Sequence, residues 1–292
     1  MTEDASGAFA RIYEHHDPSY GAFFEVTALL ERKVTPFQTI AVFETAQHGR
    51  IMTIDGLVMM TERTDHVYHE HMAHIPMACV DTPRSVLVIG GGDGGVVTEI
   101  CKHADVERIV LAELDAGVVE LSRRWFPHIA RGLNDPRVEV EIGDGAAYLA
   151  AHPGAFDVVV IDSTDVCEAV VPGEPVAGPL ITEAFHTDLR AALTPGGVAA
   201  QVLGSEYFHG ASYAALLTAL APRWPQFAPF FMPTPFYISG DWTAALMGTD
   251  ADLNPRRLNA READLQLINL DVARGALAQP NSIRRLLGEL DR

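Results

Sequence analysis

The chain has 292 residues, 48% of them hydrophobic, enough to bury one large core or two unequal ones. Its 39 acidic against 21 basic side chains give a formal charge of −18 with no basic stripe, which argues against nucleic acid or an anionic membrane surface as partner. No apolar run reaches membrane-spanning length and MTEDASGAFA has no signal-peptide core. Cys79, Cys101 and Cys167 are scattered and read as reduced thiols, so a cytoplasmic protein is expected.

Residues 1 to about 20 are polar and spotted with aromatics, and the first few predict disorder. Alternating patterns then predict strands at 25–34, 39–44, 51–54 and 57–60, with Asp55-Gly56 as a two-residue hairpin turn. A helix is expected over 65–78, capped by Thr64 and carrying Pro76 near its end. The expected division is a small antiparallel β domain over 1–63 and a larger domain over 64–292.

From Ser85 the pattern changes to alternating strand and helix. Strands are predicted at 86–89, 109–113, 138–142, 158–162 and 197–202. Helices are predicted at 96–102, 116–125, 145–151, 182–192 and 210–221. That succession predicts an α/β fold with a Rossmann-like, doubly wound parallel sheet, whose ligands sit at the carboxyl ends of the strands. Late segments such as 243–247 predict antiparallel additions, and 263–292 reads as a helical tail.

The stretch SVLVIGGGDGGVVTEI organises this domain. Gly90, Gly92 and Gly95 fall in the register G-x-G-x-x-G, a tight strand-to-helix turn whose backbone can approach a nucleoside closely. Asp93 inside the loop sets it apart from a dinucleotide site, because a carboxylate there repels a pyrophosphate and attracts a cation. Further acids end the next strands. Glu113 lies about twenty residues beyond Asp93, the spacing of a carboxylate that accepts both ribose hydroxyls. Asp144 can accept from an adenine amino group, and Asp162 and Asp165 close the fourth strand. Each acid alone reads equally as a helix N-cap, but the succession around one rim points to a nucleoside sulfonium of the S-adenosylmethionine type.

With VFETAQHGRIMTIDGLVMMTERTDHVYHEHMAHIP, IGGGDGG, AELD, IGDG, VIDSTD and PTPFYISGDW, the chain resembles the spermidine synthases, the polyamine aminopropyltransferase family, over nearly its whole length. The resemblance implies a homodimer or homotetramer, with decarboxylated S-adenosylmethionine as co-substrate and no bound cofactor or metal. It implies putrescine or a related small cationic amine as acceptor, giving spermidine and methylthioadenosine. It implies that Gln38 and His69 help hold the donor, with Asp93 on its ammonium, Glu113 on its ribose and Asp144 on its adenine. It assigns acceptor chemistry to Asp162 and Asp165, helped by Tyr68, Gln201 and Tyr237.

The sulfonium is already a good leaving group, so the difficulty is the acceptor ammonium, which has no lone pair. Asp162 is the expected general base, its pKa raised by burial or by a like-charged neighbour, for which Asp165 is the candidate. The histidines 66, 69, 71 and 74 lack H-E-x-x-H spacing and are read as part of a helix bordering the site. After Asp165 the chain reads VCEAVVPGEPVAGPLIT, so Gly178-Pro179 comes later than the family's gate, and Glu168 and Glu174 are added. The acceptor is therefore open among putrescine, agmatine, another diamine and a longer polyamine. Carboxyaminopropyl transfer, methyl transfer and a non-catalytic polyamine-binding protein are the other readings.

Overall fold

The structure is a computed structural model, and it describes residues 10–17, 20–163 and 178–289. The strands are β1 (Ala10–Asp17), β2 (Tyr20–Val26), β3 (Ala28–Val34), β4 (Thr39–Thr45), β5 (Gly49–Ile54), β6 (Leu57–Thr61), β7 (Ser85–Gly90), β8 (Arg108–Glu113), β9 (Val138–Ile142), β10 (Phe156–Asp162), β11 (Leu193–Gly204), β12 (Gln226–Thr234) and β13 (Gly240–Gly248). The helices are α1 (Asp65–Met77), α2 (Gly95–Ile100), α3 (Ala116–Trp125), α4 (Gly145–Ala150), α5 (Glu183–Ala192), α6 (Glu206–Leu220), α7 (Leu270–Ala276) and α8 (Asn281–Leu286).

The large sheet has the order β12-β13-β11-β10-β7-β8-β9. Its five strands from β11 to β9 are parallel, and β13 and β12 close one edge antiparallel. This is the expected Rossmann-like sheet. Side chains alternate across it because successive residues of a strand face opposite sides. Val86, Val88, Leu111 and Val160 pack with Met72 and Ile75 of α1 and Val96 and Ile100 of α2. Leu87, Ile89, Val110 and Ile161 pack on the other side with Leu149 of α4 and Leu189 of α5. Both faces are thus buried, and β7 stands where the strand order reverses, so a crevice opens between its end and that of β10.

The N-terminal segment forms the expected antiparallel sheet, β3-β4-β5-β6. Asp55 (φ 50°) and Gly56 (φ 94°) make the β5–β6 turn in the left-handed region that such a hairpin demands. The single strand expected over 25–34 is divided at Thr27. Its first part, β2, pairs with β1 in a separate hairpin, and β3 joins the four-stranded sheet. Thr64 does not cap α1 with its side chain, because its hydroxyl hydrogen-bonds that of Thr61 at 2.6 Å.

The C-terminal segment is not a continuous helical tail. It carries a single 3-10 turn at Glu262–Asp264 and the short helices α7 and α8. A long-range anchor organises it. Glu70 on α1 is fully buried, and its carboxylate accepts from the backbone N–H groups of Gln266 (2.7 Å), Leu267 (2.8 Å) and Ile268 (2.8 Å). Removing it would leave three N–H groups facing a cavity. Glu70→Ala should therefore lower unfolding stability by ~2–5 kcal/mol, read as a shift in the denaturant midpoint.

Candidate active site

A cavity of about 460 Å³ lies over the carboxyl ends of β7, β8 and β10, closed on one side by Phe37, Gln38, β5 and β6 and on another by residues 236–242. Gln38, Tyr68, His69, Gly90, Gly92, Asp93, Glu113, Asp144, Asp162 and Tyr237 all line it. Asp165 lies outside the described residues, as do Cys167, Glu168 and Glu174. Gln201 is the exception. It is fully buried one layer behind the wall, and its Nε2 donates to the carbonyl of Leu180, which does line the cavity, at 2.9 Å.

The glycines make room for carboxylates. Gly90 has φ 77° and gives way to the backbone carbonyl of Asp162, 2.2 Å from where a Cβ would be, while a Cβ on Gly91 (φ 64°) would stand 2.6 Å from the Asp162 carboxylate oxygen Oδ2. A Cβ on Gly92 would stand 2.7 Å from Oε2 of Glu113. The Gly92 N–H instead donates to that oxygen at 3.0 Å, while the Asp115 N–H donates to Oε1 at 2.8 Å. Burial pushes the Glu113 carboxyl up to about 7; these two amides oppose the shift and the charges of Asp115 and Asp93 add to it.

Asp162 receives a hydrogen bond from the Tyr68 hydroxyl at 2.6 Å. Desolvation first, and then the nearby charge of Asp93, raise its pKa to about 6, against the hydrogen bond from Tyr68 and the field of His69. The like-charged neighbour among the described residues is Asp93, in the position of influence that the sequence offered to Asp165. Asp93 accepts from the Gly95 N–H at 2.6 Å and faces Nε2 of His69 at 3.4 Å. The other ring nitrogen, Nδ1, faces Asp65 at 3.4 Å. Burial opposes a charge on His69, but Asp93 and Asp65 outweigh it and push its pKa well above the ordinary range.

Asp144 caps α4, accepting from the N–H groups of Ala146 (2.8 Å) and Ala147 (3.4 Å). Capping and cavity lining coexist in this one side chain. Tyr237 donates to the Met59 carbonyl at 3.3 Å and packs against Trp242 with ring centroids 4.7 Å apart. The four histidines of α1 diverge. His69 faces this cavity, His66 lines a second one, His71 bonds the Val67 carbonyl, and His74 joins His103 and Glu99.

Two further acids belong to the site. Asp115 caps α3 through the Gly117 N–H at 2.8 Å and accepts from the Thr35 hydroxyl (2.7 Å) and Gln38 Nε2 (3.0 Å). It thereby fixes the amide of Gln38 and ties the N-terminal sheet to α3. Its signal was present, as the last residue of AELD before a predicted helix. Glu14, from β1, is buried, lines the cavity and accepts from the Val58 N–H at 3.2 Å. Nothing local to its sequence marks it, since only the pairing of β1 with β2 sets its direction.

The sequence profile of the spermine/spermidine synthase domain matches residues 65–256, and that of the spermidine synthase tetramerisation domain matches residues 12–62. The polyamine aminopropyltransferase of Leptospira biflexa is 40% identical over 74% of this chain and 75% of its own. That of Thermotoga petrophila is 33% identical over 92% and 90%. The Thermoanaerobacter relative is 46% identical, but the match spans only 52% of this chain and 55% of that protein. Among solved structures, spermidine synthase in complex with the transition-state analogue AdoDATO superposes with TM-score 0.86 and 28% identity, covering 96% of each chain. The spermidine synthase of Thermotoga maritima gives 0.85 and 27%, covering 96% of this chain and 95% of its own. Fold and sequence agree, and the chain belongs to the spermine/spermidine synthase family.

Proposed function

We propose that the protein is a polyamine aminopropyltransferase that moves the aminopropyl group of decarboxylated S-adenosylmethionine to a diamine of the putrescine type. The observation that carries this reading is the meeting of Asp93, Asp162 and Tyr68 in one cavity, with Glu113 and Asp144 on the nucleoside side. The solved relative that holds AdoDATO, 28% identical, supports a donor of this kind.

In this reading Glu113 turns from its two backbone amides toward the ribose hydroxyls, and Asp144 meets the adenine amino group. Asp93 takes the donor's primary ammonium. The acceptor amine lies against Asp162, which takes its proton as the nitrogen lone pair attacks the methylene carbon beside sulfur. The carbon–sulfur bond breaks and its electron pair stays on methylthioadenosine. A base with pKa about 6 is ionised at neutral pH yet accepts a proton readily, the balance that general base catalysis needs. Tyr68 holds the carboxylate in line. Glu14, entering from β1, is the partner for the acceptor's other ammonium, with Tyr237 and Trp242 bounding the channel between. Asp165 would add acceptor contacts from the following segment. We take Gln201 as a support for the Leu180 wall of that channel.

The proposed assembly is a homotetramer through the N-terminal region, where Tyr13, Tyr20 and Phe23 expose half or more of their surface on the β1–β2 hairpin. No described helix is long and apolar enough to cross a membrane. We place the protein in the cytoplasm, where thiols such as the buried Cys79 stay reduced.

Incubation with decarboxylated S-adenosylmethionine and a panel of amines should release methylthioadenosine and yield product heavier by one aminopropyl group. A methyl addition, or no methylthioadenosine with any amine, would overturn the assignment. Asp162→Asn should lower turnover by ~10²–10⁴-fold with donor affinity largely kept. The wild-type rate should have an acid limb near about 6, where Asp162 takes up its proton. Glu113 gives a pH signature in the empty protein. Its folded pKa of about 7 exceeds its ordinary 4.5, so its contribution to stability is full below 4.5 and is lost as pH rises to about 7. Thermal midpoints measured across that window should fall more steeply for the wild type than for Glu113→Gln.

A further inference from the structure

A second, polar cavity of about 230 Å³ lies behind the first, lined by Asp65, Gly95, Lys102 and Arg131 among others. The imidazole of His69 stands between the two. His69 and Asp93 line the first cavity, whereas Asp65 and Gly95 line the second. The ring is nearly sealed from solvent, at 3% exposed, and a Cβ on Gly95 would fall 2.2 Å from its Cε1. Each ring nitrogen therefore faces a carboxylate in a different cavity, Nε2 toward Asp93 and Nδ1 toward Asp65, both at 3.4 Å. Asp65 has no part in the binding or transfer steps described above, and it cannot touch a ligand in the first cavity except through this ring.

We propose that His69 holds, as an imidazolium, the cation position beside Asp93 that the donor's primary ammonium takes over, and that its proton leaves from Nδ1 through Asp65 into the second cavity when the donor binds. The inference rests on the donor assigned above. The groups that face the ring are Asp65 and Tyr68 on its own helix, Asp93 on the glycine loop, Asp162 on β10 and the backbone of Gly95 on α2. Glu99 of α2 is engaged elsewhere, by His74 at 3.0 Å and Lys102 at 2.5 Å.

In the empty site Asp93 and Asp162 are neighbouring acids, and a cation between Asp93 and Asp65 offsets the cost of burying them. Two carboxylates are what outweigh the burial of the ring. Once the donor's ammonium neutralises Asp93, only Asp65 and the field of Asp162 are left to oppose that burial, and the arriving cation repels the imidazolium at short range in a low dielectric. The charged ring then loses its advantage. The exchange balances simply. The Nδ1–H bond breaks, the proton passes by way of the Asp65 carboxylate to solvent, and Nε2 keeps its hydrogen and goes on facing Asp93. No electron is transferred. Donor binding thus becomes linked to proton release, and Asp65 is a positioning residue that acts through His69.

Calorimetric titration in two buffers of different ionisation heat counts the protons released on binding. At about pH 8, above the values of about 6 and about 7 to which Asp162 and Glu113 are raised, those two acids add little to the count. Decarboxylated S-adenosylmethionine should release up to ~1 proton from the wild type, and methylthioadenosine, which lacks the ammonium, close to none. Asp65→Asn should still bind the donor but release fewer protons, Asp65→Glu should restore the release, and His69→Gln should abolish it. Equal release with donor and with methylthioadenosine would overturn the linkage without any variant, and so would equal release from wild type and His69→Gln. A wild type that does not bind the donor at all would instead overturn the donor assignment itself.

Discussion

The constraint on which the rest of the site depends is the burial of carboxylates against a backbone that has no Cβ to exclude them. Asp162 and Glu113 close the ends of β10 and β8, on either side of the loop that leaves β7. Their carboxylate oxygens approach Gly91 and Gly92 within 2.6 and 2.7 Å of where a Cβ would be, room that a glycine leaves open. A glycine-rich loop of this register is usually explained by the ligand that it lets in. Here the same glycines first let in the acids, so the loop and the charge of the cavity are one feature. The consequence is an acidic crevice at the point where the strand order reverses, and we propose that its charge favours a nucleoside carrying positive charge over one carrying phosphate.

Buried acids without partners are costly, and the structure distributes the cost in three ways. Glu113 accepts two backbone amides, which hold its carboxylate in place. Asp162 has its pKa raised and receives a hydroxyl from Tyr68. Asp93 has His69 beside it, backed by Asp65. The N-terminal sheet is drawn into the same economy of charge. Asp115 accepts from Thr35 and Gln38, and Glu14 projects inward from β1. The exposed ion pairs that also join the N-terminal sheet to α3, such as Arg124 with Glu31 at 2.7 Å, contribute little by comparison.

Much of this was legible in the sequence, and what was not has identifiable causes. The parallel strands show as short apolar runs because both faces of the sheet are covered, and the acids show because they end those runs. The β1–β2 hairpin stayed hidden, since a two-stranded ribbon with exposed Tyr13, Tyr20 and Phe23 has little one-sided burial to write into an alternating pattern. Strand β12 contains Pro229 and Pro233, which count against a strand in local reading, but it pairs only with β13 at the sheet edge, where proline is tolerated. The C-terminal segment is shaped by Glu70, nearly 200 positions earlier in the chain, and no local propensity carries that information. Asp115 was readable as a helix cap, and its second role, holding Gln38, depended on the packing of two sheets.

The central claim is that carboxylate charge at the glycine loop selects a cationic nucleoside. Equilibrium affinities for decarboxylated S-adenosylmethionine and for methylthioadenosine, compared in the wild type and in Asp93→Asn, test it most directly. The two ligands share adenine and ribose and differ in the sulfonium and the ammonium. The account predicts that the wild type prefers the cationic donor and that Asp93→Asn loses most of that preference while its affinity for methylthioadenosine changes little. An undiminished preference in Asp93→Asn, or a wild type that binds the two ligands equally, would contradict it.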